Sequence, residues 1–181
     1  MAVADPVLAR MAQKLRRHSL ESTAEAGSGH PTSCMSCAEI VSVLFFEEMQ
    51  FDPKDPSGKD ADVFILSKGH AAPILWAALK ESGAISDDLL TLRRYDSPLE
   101  GHPTPNSPWV RVATGSLGQG LCAGAGMAIQ PAARTRSASG AGGLRWPGGR
   151  HRPGQPVLAA TGLGLLLRDV RALVRRHGGR R

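Results

Sequence analysis

A helix-rich α/β layered fold is the class this sequence predicts. Apolar residues recur at helical intervals in several stretches, and one short run, Val63-Phe64-Ile65-Leu66, has the length and character of a buried strand. Helices alternating with few strands stack as layers, and ligands in such folds sit on loops beyond the strand ends.

The elements follow in chain order. Asp5 can cap a first helix, Pro6 suits its first position, and Leu8, Met11 and Leu15 share one face. This helix is expected to end near Glu25, before the loop Gly27-Ser28-Gly29-His30-Pro31. Ser36-Cys37-Ala38-Glu39 has capping-box spacing, and Ile40, Val43 and Leu44 continue at helical intervals, so a second helix is predicted over 36–49. Phe51 to Ala61 is polar with two prolines and reads as an exposed loop. The strand at 63–66 leads into Ser67-Lys68-Gly69-His70, and Ala71 to Ser82 reads as a helix stopped by Gly83. Ser86 is expected to cap a short helix through Leu92. Glu100 to Thr104 is a loop, and Gly115 to Gly120 opens a close-packed helix through Met127.

Near Gln130 the texture changes. Pro131 to Pro156 lacks periodicity and reads as a disordered Arg/Gly/Pro-rich segment, giving one unit over 1–129 and a basic tail over 130–181. Within the tail, 157–177 could form a basic helix with Leu163, Leu166, Val170 and Leu173 on one face.

The 181 residues suit roughly one ordinary domain. Residues 1–129 hold 11 Lys and Arg against 15 Asp and Glu, a balance of −4, whereas 130–181 hold 11 Arg against Asp169 alone, a balance of +10. The basic character therefore belongs to the tail, which could bind nucleic acid or an anionic membrane. Its aromatic content is limited to Trp146, so a solvated extension is the preferred reading. No apolar run reaches the roughly 18 residues of a membrane span, and no signal peptide is expected. Cys34, Cys37 and Cys122 make no disulfide framework, so a cytoplasmic setting is expected.

Three glycine-histidine pairs stand out: Gly29-His30-Pro31, Gly69-His70-Ala71 and Gly101-His102-Pro103. Histidine titrates near neutral pH and serves as acid, base or hydrogen-bond donor. Three such pairs on separate loops point to one site assembled from three places. Cys34-Met35-Ser36-Cys37 has redox-motif spacing, but an ordinary helix entry is the preferred reading there. His18 reads as helix surface.

Ser28-Gly29-His30-Pro31-Thr32, Ser67-Lys68-Gly69-His70-Ala71-Ala72-Pro73, Gly101-His102-Pro103 and Thr114-Gly115-Ser116-Leu117-Gly118-Gln119-Gly120 stand in the order and spacing of the transketolase N-terminal domain, which residues 7–129 resemble. Related thiamine enzymes differ around the second and third histidines. The resemblance implies transfer of a two-carbon ketol unit between sugar phosphates, with thiamine diphosphate and magnesium as cofactors. It implies that His30 and His102 face the donor sugar as catalytic residues, and that Ser33, His70, Gly115, Ser116 and Leu117 contact the cofactor. It also implies a homodimer, or pairing with a full-length transketolase, as the partner.

The pattern then departs from the family. The Gly-Asp-Gly that should follow Met127, with an Asn beyond it to hold the cation, is absent, and Asp169 is the sole acid after Glu100. No metal ligand is therefore assigned. The family's second domain, which supplies a glutamate to the aminopyrimidine across the dimer, is also not recognised. The expectation is an incomplete transketolase-like thiamine diphosphate-binding domain that does not turn over by itself. The tail has the composition of a shifted reading frame or alternative exon.

Overall fold

The structure is a computed structural model that describes residues 5–58, 61–134 and 157–160. Helix α1 spans Pro6–Glu25 and begins as its sequence dictates: the Asp5 carboxylate accepts from the Val7 N–H at 2.7 Å, and Pro6 holds the first helical position. Its inner face buries Ala12, Leu15, Ser19 and Ser22 against the helices that follow.

The helix expected over 36–49 is instead three pieces. Helix α2 covers Pro31–Met35, α3 covers Ala38–Val43, and a π-helical turn covers Leu44–Glu48. The capping box does not form. Ser36 Oγ donates to Ser33 O at 2.9 Å, and Glu39 pairs with Arg16 at 2.6 Å. Ser36 turns back to α2 and Glu39 reaches across to α1, so α3 starts after Cys37 without a side-chain cap. The loop after the π-turn is not wholly exposed, because Phe51 packs edge-on against Phe45 and Trp109, with ring centroids 5.9 and 5.8 Å apart.

Strand β1 is Val63–Leu66, buried throughout. It passes through the 3-10 turn Gly69–Ala71 into α4, Ala72–Glu81. Gly83 ends α4 as expected, with φ of +80° and the Ala84 N–H reaching back to Leu79 O. The short helix before Leu92 is a 3-10 turn, Leu89–Thr91, and Asp88 rather than Ser86 caps it, accepting from Leu90 N at 3.0 Å.

Helix α5 runs Gln119–Arg134. It runs through Pro131 into the segment expected to be disordered, ending on Ala132, Ala133 and Arg134, which are strong helix formers. Residues 135–156 lie outside the described residues. The helix expected over 157–177 is not found at its start: Val157–Ala160 is strand β2, parallel to β1 in the register Val63↔Val157 to Leu66↔Ala160. β1 offers an open ladder edge, and pairing with it overrides the helical spacing of the sequence. Residues 161–177 lie outside the described residues.

Trp76, Leu15, Leu44, Ile74 and Leu99 are the largest fully buried side chains, and α1, α3 and α4 enclose them. Helix α5 packs on the two strands. No described helix is long and apolar enough to cross a membrane.

Candidate functional site

Each glycine-histidine pair is set by its own support. His30 occupies the N-cap position of α2, and its carbonyl accepts from Ser33 N at 3.1 Å. His70 sits on the 3-10 turn between β1 and α4. His102 lies on the loop that α4 anchors through Trp76 Nε1, which donates to Glu100 O at 2.8 Å.

The structure brings these loops to one place. The His30 and His70 rings meet edge to face, with centroids 5.2 Å apart. His70 Nε2 lies 3.0 Å from Ser33 Oγ, joining two of the predicted residues. A methyl group added to Gly69 would lie 2.5 Å from the Thr114 carbonyl and 2.8 Å from Gly115 N, so the second loop rests directly on the glycine-rich stretch. His102 lies over Gly115: a methyl there would stand 3.3 Å from His102 Cδ2. Thr114 N donates to Pro103 O at 3.2 Å, which ties the third loop to the same floor. Ser116 and Leu117 sit on the exposed turn into α5, and no hydrogen bond or ring contact joins them to the imidazoles. Leu117 is 74% exposed.

The electrostatics are one-sided. Burial lowers the His70 pKa, and the positive charges of His30, Lys68 and His102 lower it further. His70 is therefore a neutral imidazole at pH 7, able to donate from one nitrogen and accept at the other. The nearest acid along the chain, Glu100, is engaged elsewhere, accepting from Thr104 Oγ1 and from Asn106 Nδ2 at 2.9 Å. Among the described residues no group of three or more His, Cys, Asp or Glu is arranged to hold a metal ion.

Three residues of the site were given no role by the sequence. Lys68 donates to Ser33 O and Ser36 Oγ at the edge of the cluster. Arg93 has φ of +65° and lays its guanidinium on Gly101, where a methyl would lie 2.8 Å from it. Thr114 carries a buried Oγ1 without a hydrogen-bond partner. Lys68 and Thr114 stand inside the second and fourth motifs, which is a visible signal for both, whereas no local pattern marks Arg93. The Cys34 and Cys37 thiols are buried and free. Burial raises both, Cys37 to about 11, which opposes a redox role.

Together the fold and this cluster define an α/β domain that gathers three histidine loops on a glycine floor. The chain belongs to the transketolase family: the family model for the transketolase thiamine diphosphate binding domain matches residues 7–141. It is similar to transketolase-like protein 2 of Bos taurus, 59% identical over 123 residues, and to the transketolase of Homo sapiens, 54% identical over 118 residues. These matches cover 67% and 65% of this chain but 20% and 19% of the relatives, so the chain spans about a fifth of their length. Among solved structures it resembles the transketolase of Leishmania mexicana at 35% identity and a TM-score of 0.65, over 69% of this chain and 19% of that one. It also resembles the Pichia stipitis enzyme solved with sedoheptulose 7-phosphate, at 34% identity and a TM-score of 0.67, over 71% and 19%.

Proposed function

We propose that this chain carries the cofactor- and donor-facing half of a transketolase site and does not complete ketol transfer alone. The convergence of His30, His70 and His102 over the Gly69–Gly115 floor is the observation that carries this reading. The residues present fit thiamine diphosphate in part. Ser33 and His70 would hold its diphosphate, the Gly115 backbone and the exposed Ser116-Leu117 turn would meet its rings, and the spare Thr114 hydroxyl lies in that floor. When bound, the cofactor supplies the electron sink for the ketol carbanion. His30 and His102 would donate hydrogen bonds to hydroxyls of the donor sugar phosphate and move its protons.

The residues do not fit the cation. Magnesium takes oxygen ligands and usually one or two carboxylates, and residues 101–168 contain no Asp or Glu. The division into a family-like unit over 1–129 and a basic tail from 130, in a cytoplasmic setting, is part of the same reading. Calorimetric titration with thiamine diphosphate, with and without magnesium, tests it. We expect weak binding that magnesium does not improve and that His70→Ala abolishes. Micromolar, magnesium-dependent binding would overturn the incomplete site, and identical titrations of wild type and His70→Ala would overturn the site itself.

A second reading rests on the exposure of His30, His102 and Leu117, which leaves this face open to a partner. In it the chain is a non-catalytic partner of a full-length transketolase. Capture of that enzyme by wild type but not by Leu117→Asp supports this reading, and equal capture by both refutes it.

A further inference from the structure

We propose that Lys68 is a positioning residue whose ammonium pins the carbonyl end of α2 to the loop after β1, so that Ser33 is held against Nε2 of His70. The inference rests on the site reading above but concerns the free chain.

Helix α2 has little holding it together by itself. It has five residues, begins at a proline, and lacks a side-chain cap at His30. So short a helix is not stable on local terms, and its last carbonyls need partners from elsewhere. Lys68 supplies one. Its Nζ donates to Ser33 O at 3.2 Å and to Ser36 Oγ at 2.7 Å, while Ser36 Oγ in turn donates to Ser33 O at 2.9 Å. Lysine, hydroxyl and carbonyl form a closed triangle. Two residues on, the same loop reaches α2 again through His70 and Ser33 Oγ. Ser33 is thus gripped at its backbone by one loop side chain and at its hydroxyl by another.

The loop that does the gripping is itself fixed. Gly69 rests on the Thr114–Gly115 peptide, Ser67 Oγ accepts from Leu121 N at 3.1 Å, and Lys68 O accepts from Ala71 N at 2.8 Å. Arg16 holds the Met35 carbonyl of α2 at 3.1 Å, and the buried Cys34 Sγ lies 3.8 Å from Ala71 O; the lysine triangle is the link that acts on Ser33 itself. A lysine merely covering surface would keep its ammonium in water and its rotamer freedom. Here the side chain is half-buried and both partners are neutral oxygens. Its charge therefore stays uncancelled by them and faces the imidazoles, where it opposes protonation of His70.

Nitrogen-edited NMR of the histidine rings in the full chain tests the proposal and needs no cofactor. Lys68→Met should shift the Nε2 resonance of His70 toward that of a solvated ring and raise its titration midpoint, with His30 and His102 the remaining charges facing it. Lys68→Arg, which keeps a donor and a charge, should restore the wild-type ring signature. A Lys68→Met protein with the wild-type signature, or an equal loss in Lys68→Arg, would overturn the role. If Lys68→Met does not fold, Ser36→Ala decides: removing one corner of the triangle should move the His70 signature the same way by a smaller amount, and no movement would refute the clamp. A chain that fails to bind thiamine diphosphate yet shows these shifts would refute the site reading alone.

Discussion

Gly69 has no room for a side chain. Its α-carbon faces the Thr114 carbonyl and Gly115 N, both backbone atoms that cannot swing away. Gly69→Ala should therefore separate the second loop from the glycine floor, at about 1–3 kcal/mol, and move His70 away from His30. A lower unfolding midpoint, together with altered His30 and His70 ring resonances, is the expected result; an unchanged spectrum would show that the floor can yield. At this scale the sequence exposes the histidines, because a glycine-histidine pair is local and its spacing along the chain is visible. It hides Arg93 and the state of the Thr114 hydroxyl, because these come from what lies across space. An arginine at φ +65° on top of Gly101, or a hydroxyl with no partner, leaves no mark on neighbouring residues.

Helices α1 and α4 are locked by a three-residue clamp. Glu81 accepts from Lys14 Nζ at 2.5 Å and lies 2.8 Å from His18 Nε2, so His18 is a contact between helices rather than helix surface. Burial pushes the Glu81 carboxyl up, but Lys14 and His18 together outweigh it and the net direction is down. A carboxyl lowered in the folded state contributes stability in full above its unfolded value of 4.5, and loses it as pH falls through the folded value. His70 acts at a higher window. Its folded value is also lowered, so the unfolded chain takes up its proton first and stability begins to fall below about pH 6.5. Glu81→Gln should cost about 1–2 kcal/mol at pH 7 and reduce the decline below about pH 4.5, to which the Arg16-paired Glu39 also contributes, while leaving the one that starts near 6.5. Urea unfolding across a pH series checks both limbs. The sequence reveals α1 and the stop of α4, where the cap, the proline and the glycine act within a few residues. It misleads over 36–49, where Ser36 and Glu39 are drawn to Ser33 and Arg16, and the π-turn at Leu44–Glu48 widens the helix without any residue type that demands it.

At the scale of the whole molecule, the strand pairing among the described residues joins segments far apart in sequence. β1 is buried on every residue and β2 completes its edge, yet the sequence around Val157 reads as the start of a helix. Four residues are too few for periodicity to choose between strand and helix, and only the presence of β1 decides. Leu158→Pro removes a backbone donor from β2. It should lower the unfolding midpoint of the full chain and speed amide exchange at 63–66; protection equal to wild type would mean that β1 does not rely on this partner. The same distance explains why the charge pattern says nothing of the sheet: the tail holds the +10, while its apolar Val157–Ala160 does the pairing.

Synthesis on the ribosome gives that pairing a cost in time. Val63 leaves the tunnel 94 residues before Val157, its partner in the ladder. At about 5–20 residues per second, β1 waits roughly 5–20 s with an apolar, unpaired edge while α4 and the histidine loops are already formed. During that interval the nascent chain offers a strand template to any neighbour on the same message, so its yield should depend on how densely ribosomes are spaced.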